Sequence, residues 1–320
     1  MIPMDAPLER KPMRLGPHVA EAVWGGRRLA EEYGVDPQGR ENCAEAWVLS
    51  AHPRGSSVVQ GGAYDGMPLA TLFRERKELF GAACAGMERF PVLVKLIDAR
   101  EDLSIQVHPR DGNSVLLPGE SGKTECWYIL DAEPGARLLL GFREAITGEE
   151  FARAIQNQTL LGCVRAFAVG RGDFFFIPAG TLHAIGKGIL LAEVQQSSDT
   201  TYRVYDYNRL ENGRPRPLHV DQARAVTDLR PYEPLPQRPQ LSGAKTLVSC
   251  EYFTVAECAG RGEAGGESFV HLLFLEAGEG CTLTCGGIAM PVKKGDSILI
   301  PANAGSYRVK GDCRALETRM

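Results

Sequence analysis

Four side chains in this sequence are of the types, and at the spacings, that hold a metal ion. Gln106 and His108 lie in Leu103-Ser-Ile-Gln-Val-His-Pro109, Glu125 in Gly122-Lys-Thr-Glu-Cys-Trp-Tyr128, and His183 in Pro178-Ala-Gly-Thr-Leu-His183. Each segment reads as β-structure, and residues two apart on a strand face the same side, so Gln106 and His108 look into one interior. A carboxylate and a second imidazole from neighbouring strands complete the sphere. Two imidazole nitrogens and a carboxylate oxygen suit zinc, and an open position leaves room for water or a substrate. One histidine alone is more often a satisfied core or loop residue. The combination is what points to a metal.

Short strands must position these groups. Ala46–Ser50, Val92–Ile97, Trp127–Leu130, Arg137–Gly141, Phe174–Ile177 and Ile189–Val194 are apolar or branched runs bounded by Gly, Pro, Asp or Asn. Many such strands imply a sandwich or barrel. Helices are expected at Thr71–Phe80, which follows Pro68 and stops at Gly81, and at Thr147–Ile155, where Thr147 and Glu150 have capping-box spacing. One stretch occurs twice: Gly172-Asp-Phe-Phe-Phe-Ile-Pro-Ala-Gly-Thr-Leu-His183 is echoed by Gly295-Asp-Ser-Ile-Leu-Ile-Pro-Ala-Asn-Ala-Gly-Ser306, at a constant offset of 123 residues. The echo predicts a duplicated jelly roll in a mainly β chain with a few short helices. Ser306 stands where the first copy has His183, so the second unit is expected to keep the architecture and lose the ligand. The expected division is a metal-binding domain over 1–235 and a smaller one without ligands over 236–320. The Pro-rich stretch Arg230–Pro239 serves as connector, because repeated prolines favour an extended, unpaired chain.

Bulk properties exclude several function classes. A chain of 320 residues with 44% hydrophobic content buries a sizeable core, and its length favours two domains. No apolar run approaches the roughly eighteen residues of a membrane span, and Met1–Arg10 lacks the apolar stretch of a signal peptide, so a cytoplasmic protein is expected. The nine cysteines are scattered, odd in number and without a Cys-x-x-Cys pair, which speaks against a disulfide framework. Cys281 and Cys285 share a strand face as two small buried thiols. A net charge of −4 argues against a nucleic-acid footprint, but a small anion needs only a local cationic cluster. No Gly-x-Gly-x-x-Gly opens a helix and no Walker loop is present, so neither a dinucleotide nor ATP is implied.

Longer motifs now become recognisable. Leu103–Pro109, Lys123-Thr-Glu125, Pro178–Ala184 and Gln195-Gln-Ser-Ser-Asp-Thr-Thr-Tyr-Arg-Val-Tyr-Asp206, with Trp24–Leu29, Ala51-His-Pro53 and Lys95–Arg100, resemble the type I phosphomannose isomerases of the cupin superfamily, in their shorter bacterial form. The resemblance runs from about Leu15 to the C-terminus. It implies two cupin-type jelly rolls and one zinc ion per chain on Gln106, His108, Glu125 and His183. An iron-dependent cupin oxygenase would instead pair two histidines one residue apart with a glutamate a few positions later; here Gln106 replaces the first and the acid lies 17 residues beyond His108. The implied reaction interconverts mannose 6-phosphate and fructose 6-phosphate, with the metal stabilising a cis-enediolate and a base moving the proton between C1 and C2. The implied partner is a small hexose phosphate, and the chain is expected as a monomer or small homo-oligomer.

The same resemblance assigns further residues. Arg203 is implied as an active-site cation, with Asp199 orienting it or shuttling protons. Lys123, two residues before Glu125, alternates onto the ligand face and is expected near the metal. Ser104 shares the parity of Gln106 and His108 and is implied near the phosphate, and Arg209 stands where longer relatives carry a phosphate-binding lysine. The chain departs from the longer forms at Gly122, where they have a histidine, at Ala46, where serine is usual, and at Arg110, where an acid or Asn follows His-Pro. Lys95 lies in a dense apolar strand, as a buried lysine with a shifted pKa or as a snorkelling edge residue. His18, His52, His219 and His271 read as structural or solvated. The competing function is a catalytically silent cupin that binds sugar or sugar phosphate and regulates a carbohydrate pathway; the loss of a histidine at Gly122 speaks for it, and the intact ligand set with Asp199 and Arg203 speaks for the enzyme.

Overall fold

Among the described residues short, largely apolar strands build four larger sheets and two two-stranded ones, and the side each residue takes decides which core it enters. The computed structural model describes residues 8–116, 118–233, 246–258 and 260–320. A six-stranded sheet runs in the order Phe174–Ile177, Glu125–Ala132, Ile189–Gln196, Val92–Ala99, Glu45–Leu49, His18–Ala20. A five-stranded sheet runs Val164–Ala168, Arg137–Phe142, His183–Ile185, Ile105–Val107, Tyr202–Tyr205. All neighbours in both sheets are antiparallel. Ile97 and Ala99 of the six-stranded sheet pack with Leu138 and Leu140 of the five-stranded one. That is the core of the first sandwich.

Val94 and Leu96 point the other way, because neighbours on a strand alternate faces. They join a larger core with Leu273, Leu299 and Leu316 of a seven-stranded sheet, so the two sandwiches stack back to back. The seven-stranded sheet packs its opposite face, Leu272, Phe274 and Ile298, against Leu283 and Val309 of a four-stranded sheet. Behind the five-stranded sheet, Ile105 and Val107 are covered by Phe151 and Ala223 of the helices Gly148–Gln156 and Val220–Val226. The strand carrying Lys95 thus lies in the middle of the stack, buried along its whole length.

Local signals behave as their chemistry dictates. Thr147 Oγ1 accepts from the Glu150 amide at 3.2 Å while Glu150 Oε2 accepts from the Thr147 amide at 2.7 Å, a reciprocal cap contributing on the order of 1 kcal/mol. The helix expected over Thr71–Phe80 is shorter: it spans Leu69–Glu75, breaks at Arg76 (φ −137°, ψ 52°) and continues as the 3-10 turn Lys77–Leu79. The sequence echo is a structural one. Gly172 and Gly295 adopt φ of 90° and 87°, a region closed to most side chains. The amides of Gly170 and Lys293 donate to Asp173 and Asp296 at 2.8 and 2.9 Å, and the strands Phe174–Ile177 and Ser297–Ile300 follow. In the second copy Ser306 is exposed on the strand Gly305–Lys310.

Pairing distant in sequence joins the two halves. Met13–Gly16 pairs with Ser297–Ile300 of the seven-stranded sheet and carries Val58–Gln60 on its other edge, so residues from the chain's start complete the second sandwich. Of the expected connector, residues 230–233 dock on the first sandwich, where the Tyr232 hydroxyl donates to the Phe176 carbonyl at 2.8 Å; residues 234–239, and with them the expected division at 235, lie outside the described residues. All nine cysteines are free, with Cys281 and Cys285 buried in the second sandwich. Among the described residues no helix is long and apolar enough to cross a membrane.

Of the polar contacts that tie the stacked sheets, one is buried beside a histidine. The Ser297 hydroxyl donates to the Val48 carbonyl at 2.8 Å and lies 2.9 Å from His271 Nε2. Burial pushes the His271 imidazole down to about 3 from its ordinary 6.5, so the folded chain holds it neutral while the unfolded chain takes up a proton below its ordinary pKa. Its contribution is complete above pH 6.5 and is lost as pH falls from there towards 3, by at most ~1.4 kcal/mol per pH unit. His271→Gln, which cannot be protonated, is expected to be less stable than the parent at neutral pH. The gap in urea-unfolding free energy should narrow between about pH 6.5 and 4.5; a constant gap contradicts the assignment.

Candidate metal centre and active-site cavity

Both sheets of the first sandwich contribute to one cluster. Glu125 opens a strand of the six-stranded sheet, His183 opens a strand of the five-stranded sheet directly opposite Gln106, and His108 follows the end of the strand Ile105–Val107. The ligating atoms of His108, Glu125 and His183 all lie within 4.8 Å of one another, and all three residues are buried. Glu125 is the centre: its Oε2 is 3.6 Å from His108 Nε2 and its Oε1 3.4 Å from His183 Nε2.

Backbone carbonyls orient both rings. His108 Nδ1 lies 2.8 Å from the Thr200 carbonyl and His183 Nδ1 2.9 Å from the Thr181 carbonyl. A carbonyl only accepts, so each Nδ1 carries the proton and each Nε2 turns a lone pair toward Glu125. His183 Nε2 and Glu125 Oε1 are buried without a hydrogen-bond partner. Two orphaned acceptors facing each other cost on the order of 1–3 kcal/mol apiece, and a divalent cation is the group that satisfies both. Burial points the same way: it pushes the Glu125 carboxyl up to about 7, His183 down to about 4 and His108 well below its ordinary value, leaving both imidazoles neutral and fit to ligate. The residues therefore fit a metal. Gln106, cross-strand neighbour of both His183 and Arg203, lies in the wall of the adjoining cavity.

That cavity has a volume of about 500 Å³ and is bordered by Ser104, Gln106, Lys123, Asp199 and Arg203. Lys123 borders the ligand cluster, its Nζ 2.7 Å from Glu125 Oε2 and 3.0 Å from His108 Nε2. Arg203 donates from Nε to Ser104 Oγ at 3.2 Å and from Nη1 to the Pro217 carbonyl at 3.1 Å. Asp199 is not the partner of Arg203; it forms an ion pair with Arg54. Arg209 is not in the cavity wall. Tyr207 and Asn208 both take φ of 55°, turning the chain so that Arg209 bonds the Asp102 carbonyl and Asp206. The cation that reaches the wall is Arg216, which grips Asp206 through Nε at 2.7 Å and Nη2 at 2.6 Å. Although burial opposes it, Arg216 and Arg209 hold the Asp206 carboxyl below its usual range.

Glu45, Lys95, Glu193 and His219, none of them given a role in the site from the sequence, also border the cavity. Lys95 is only 3% exposed and sits 3.2 Å from Glu45 and 3.6 Å from Glu193. It neither snorkels nor loses its proton: burial disfavours the charge, but the two carboxylates raise its pKa. The signal was a charge inside an apolar strand; its meaning lay in the neighbouring strands. Gly122 has a steric reason. A Cβ there would fall 2.5 Å from the Asp111 amide nitrogen and 2.8 Å from the Arg110 carbonyl carbon, so the turn at Arg110–Asp111 excludes the side chain that longer forms carry.

Comparison with known proteins follows both sandwiches. The family profile for the type I phosphomannose isomerase catalytic domain matches residues 13–129, and that for the mannose-6-phosphate isomerase cupin domain matches residues 243–319. Mannose-6-phosphate isomerase of Streptococcus mutans is 40% identical over 308 residues, 94% of this chain and 96% of that protein. The crystal structure of mannose 6-phosphate isomerase from Bacillus subtilis superposes with a TM-score of 0.88 at 38% identity, covering 97% of this chain and 99% of that one. A zinc-bound mannose 6-phosphate isomerase shares the fold, with a TM-score of 0.76 at 18% identity over 96% of this chain and 98% of that one. With identity of this level extending through both sandwiches, the chain belongs to the type I phosphomannose isomerases.

Proposed function

We propose that this chain is a zinc-dependent aldose–ketose isomerase that interconverts mannose 6-phosphate and fructose 6-phosphate, moving a hydrogen between C1 and C2 of the open-chain sugar through an enediolate. The observation that carries the reading is the pair of buried acceptors, His183 Nε2 and Glu125 Oε1, facing each other at 3.4 Å beside a polar cavity. The cavity's volume of about 500 Å³ lies within the usual range for small-molecule sites. Gln106, His108, Glu125 and His183 would hold one zinc ion, which supplies Lewis acidity beside the carbonyl, a contribution of several kcal/mol.

The chain's own groups do the rest. Lys123, with its Nζ beside Glu125 and His108, is the proton-carrying group nearest the ligands and is placed to donate to a substrate oxygen. Arg203 presents a guanidinium whose geometry suits a phosphate or an enediolate oxygen, steadied by Ser104, whose hydroxyl is available to the same anion. Asp199 and Arg54 border the cavity as a pair, and Arg209 acts through Asp206 in fixing Arg216. The buried ring of protein around the ligands keeps water from the reacting carbons.

In a coupled isomerase assay, chelation is expected to abolish turnover of mannose 6-phosphate and zinc return to restore it; a chelator-insensitive rate contradicts the metal reading. Glu125→Gln and His183→Ala should lose metal and activity together, measured by metal analysis of each purified variant. His183→Ala with stoichiometric zinc and a parental rate overturns the ligand set. Arg203→Ala should keep zinc while kcat/KM falls ~10²-fold, as for removal of an anion-stabilising donor. Comparable kcat/KM on mannose and mannose 6-phosphate would exclude a phosphate anchor at Arg203 and Ser104, and binding of the phosphate ester without any turnover would mark a silent sugar-phosphate-binding protein instead.

A further inference from the structure

One row of cross-strand partners runs across four adjacent strands of the six-stranded sheet: Trp47 opposite Lys95, Lys95 opposite Glu193, Glu193 opposite Trp127. Each indole N–H donates to a carboxylate, Trp47 to Glu45 Oε2 at 2.6 Å and Trp127 to Glu193 Oε2 at 2.9 Å. Lys95 Nζ lies between those carboxylates and over the Trp47 ring, 4.9 Å from its centroid. The charges then continue to the metal ligands with alternating sign: Glu45, Lys95, Glu193, Lys123, Glu125.

Lys123 is within reach of two carboxylates. It rests on Glu125 Oε2 at 2.7 Å, while Glu193 Oε1 lies 4.0 Å away. Glu193 Oε1 is buried without a hydrogen-bond partner, and its nearest cations are Lys95 at 3.6 Å and Lys123. A buried ion pair seldom stabilises a fold more than apolar residues of the same volume, so a lysine inside the wholly buried strand Val92–Ala99 calls for a role other than stability. Removing one partner of such a pair leaves the other as an uncompensated anion that attracts whatever cation is next. Here that cation is Lys123.

We propose that Lys95 is a positioning residue for the isomerisation: by satisfying Glu193 it keeps Lys123 on Glu125, in the cavity wall, instead of letting it be drawn toward Glu193. The inference rests on the isomerase reading above and adds to it a residue that does not touch the ligands. Glu193 is the intermediary, and Trp127, whose ring meets that of His183 edge-on with centroids 5.4 Å apart, is held by the same carboxylate. Displacement of a reacting group by about 1 Å is enough to cost on the order of 10²-fold in rate, while leaving ground-state binding nearly unchanged.

The test is steady-state kinetics of the zinc-loaded full chain on mannose 6-phosphate, with zinc content and calorimetric affinity for the non-isomerisable glucitol 6-phosphate measured on the same samples. Lys95→Met should lower kcat ~10²-fold, with KM, glucitol 6-phosphate affinity and zinc content each within about 3-fold of the parent. Lys95→Arg, which keeps the charge, should recover most of the rate. The double variant Lys95→Met/Glu193→Gln removes the competing anion and should turn over at least about 5-fold faster than Lys95→Met alone, the non-additivity expected of groups that act on one another. A double variant no faster than the single one overturns the proposal, as does Lys95→Arg as slow as Lys95→Met, or a parental kcat in Lys95→Met. Should Lys95→Met fail to fold, Lys95→Arg leaves no anion unpaired and the double variant leaves only the partly exposed Glu45, still bonded by Trp47, without its lysine; the proposal requires both to hold zinc and stay within about 20-fold of the parental rate. A parent inactive on mannose 6-phosphate refutes the functional reading; an active parent without this pattern refutes only the role of Lys95.

Discussion

Two hydrogen-bond acceptors, His183 Nε2 and Glu125 Oε1, are held 3.4 Å apart in the buried interior of the first sandwich, and the groups around them are arranged to keep them there. The fold must stop both side chains from turning away to find partners elsewhere. It does so by fixing the far side of each group. The Thr181 and Thr200 carbonyls set the tautomer and direction of the two imidazoles, and Lys123 takes the other oxygen of Glu125. Sites of this kind gain their chemistry from strain that the scaffold absorbs.

The scaffold is built for that load. The six-stranded sheet that carries Glu125 is covered on both faces, by the five-stranded sheet on the site side and by the seven-stranded sheet behind it. The second sandwich brings none of the three clustered ligands, yet it supplies the apolar backing for the strands that do, and Met13–Gly16 ties the chain's start into its sheet. Burial on both faces also explains why charges in the central strands are so consequential. Lys95, Glu193 and Lys123 have little access to water and answer to one another and to the neighbouring carboxylates Glu45 and Glu125. The position of any one of them therefore depends on the charge of the next.

Departures from the longer relatives have local steric and topological causes. Gly122 is required by the Arg110–Asp111 turn that packs against it, so no side chain can reach the cavity from that position. The cation expected at Arg209 is carried away by two successive residues with positive φ, and Asp206 presents Arg216 to the cavity in its place. His219, which reads from the sequence as structural or solvated, stands at the N-cap of Val220–Val226 and also borders the cavity.

Much of this was legible in the one-dimensional pattern. Short apolar runs bounded by Gly, Pro, Asp or Asn marked the strands, the Gly-Asp turn with its following apolar run marked the repeat, and residue type singled out His108, Glu125 and His183, which the fold brings together, because composition and spacing along a strand are local properties that sequence encodes directly. Thr147 and Glu150 marked their helix for the same reason. What sequence left open was every feature that depends on which strand lies beside which. The row Trp47, Lys95, Glu193 and Trp127 exists only through antiparallel register between segments up to about a hundred residues apart, the pairing of Asp199 with Arg54 and of Arg216 with Asp206 only through the path of intervening turns, and the place of Met13–Gly16 only through a sheet formed with the far end of the chain. Residue type and spacing determine which groups can do chemistry; the energy of a buried charge depends on neighbours within a few ångströms, and those neighbours are chosen by tertiary pairing.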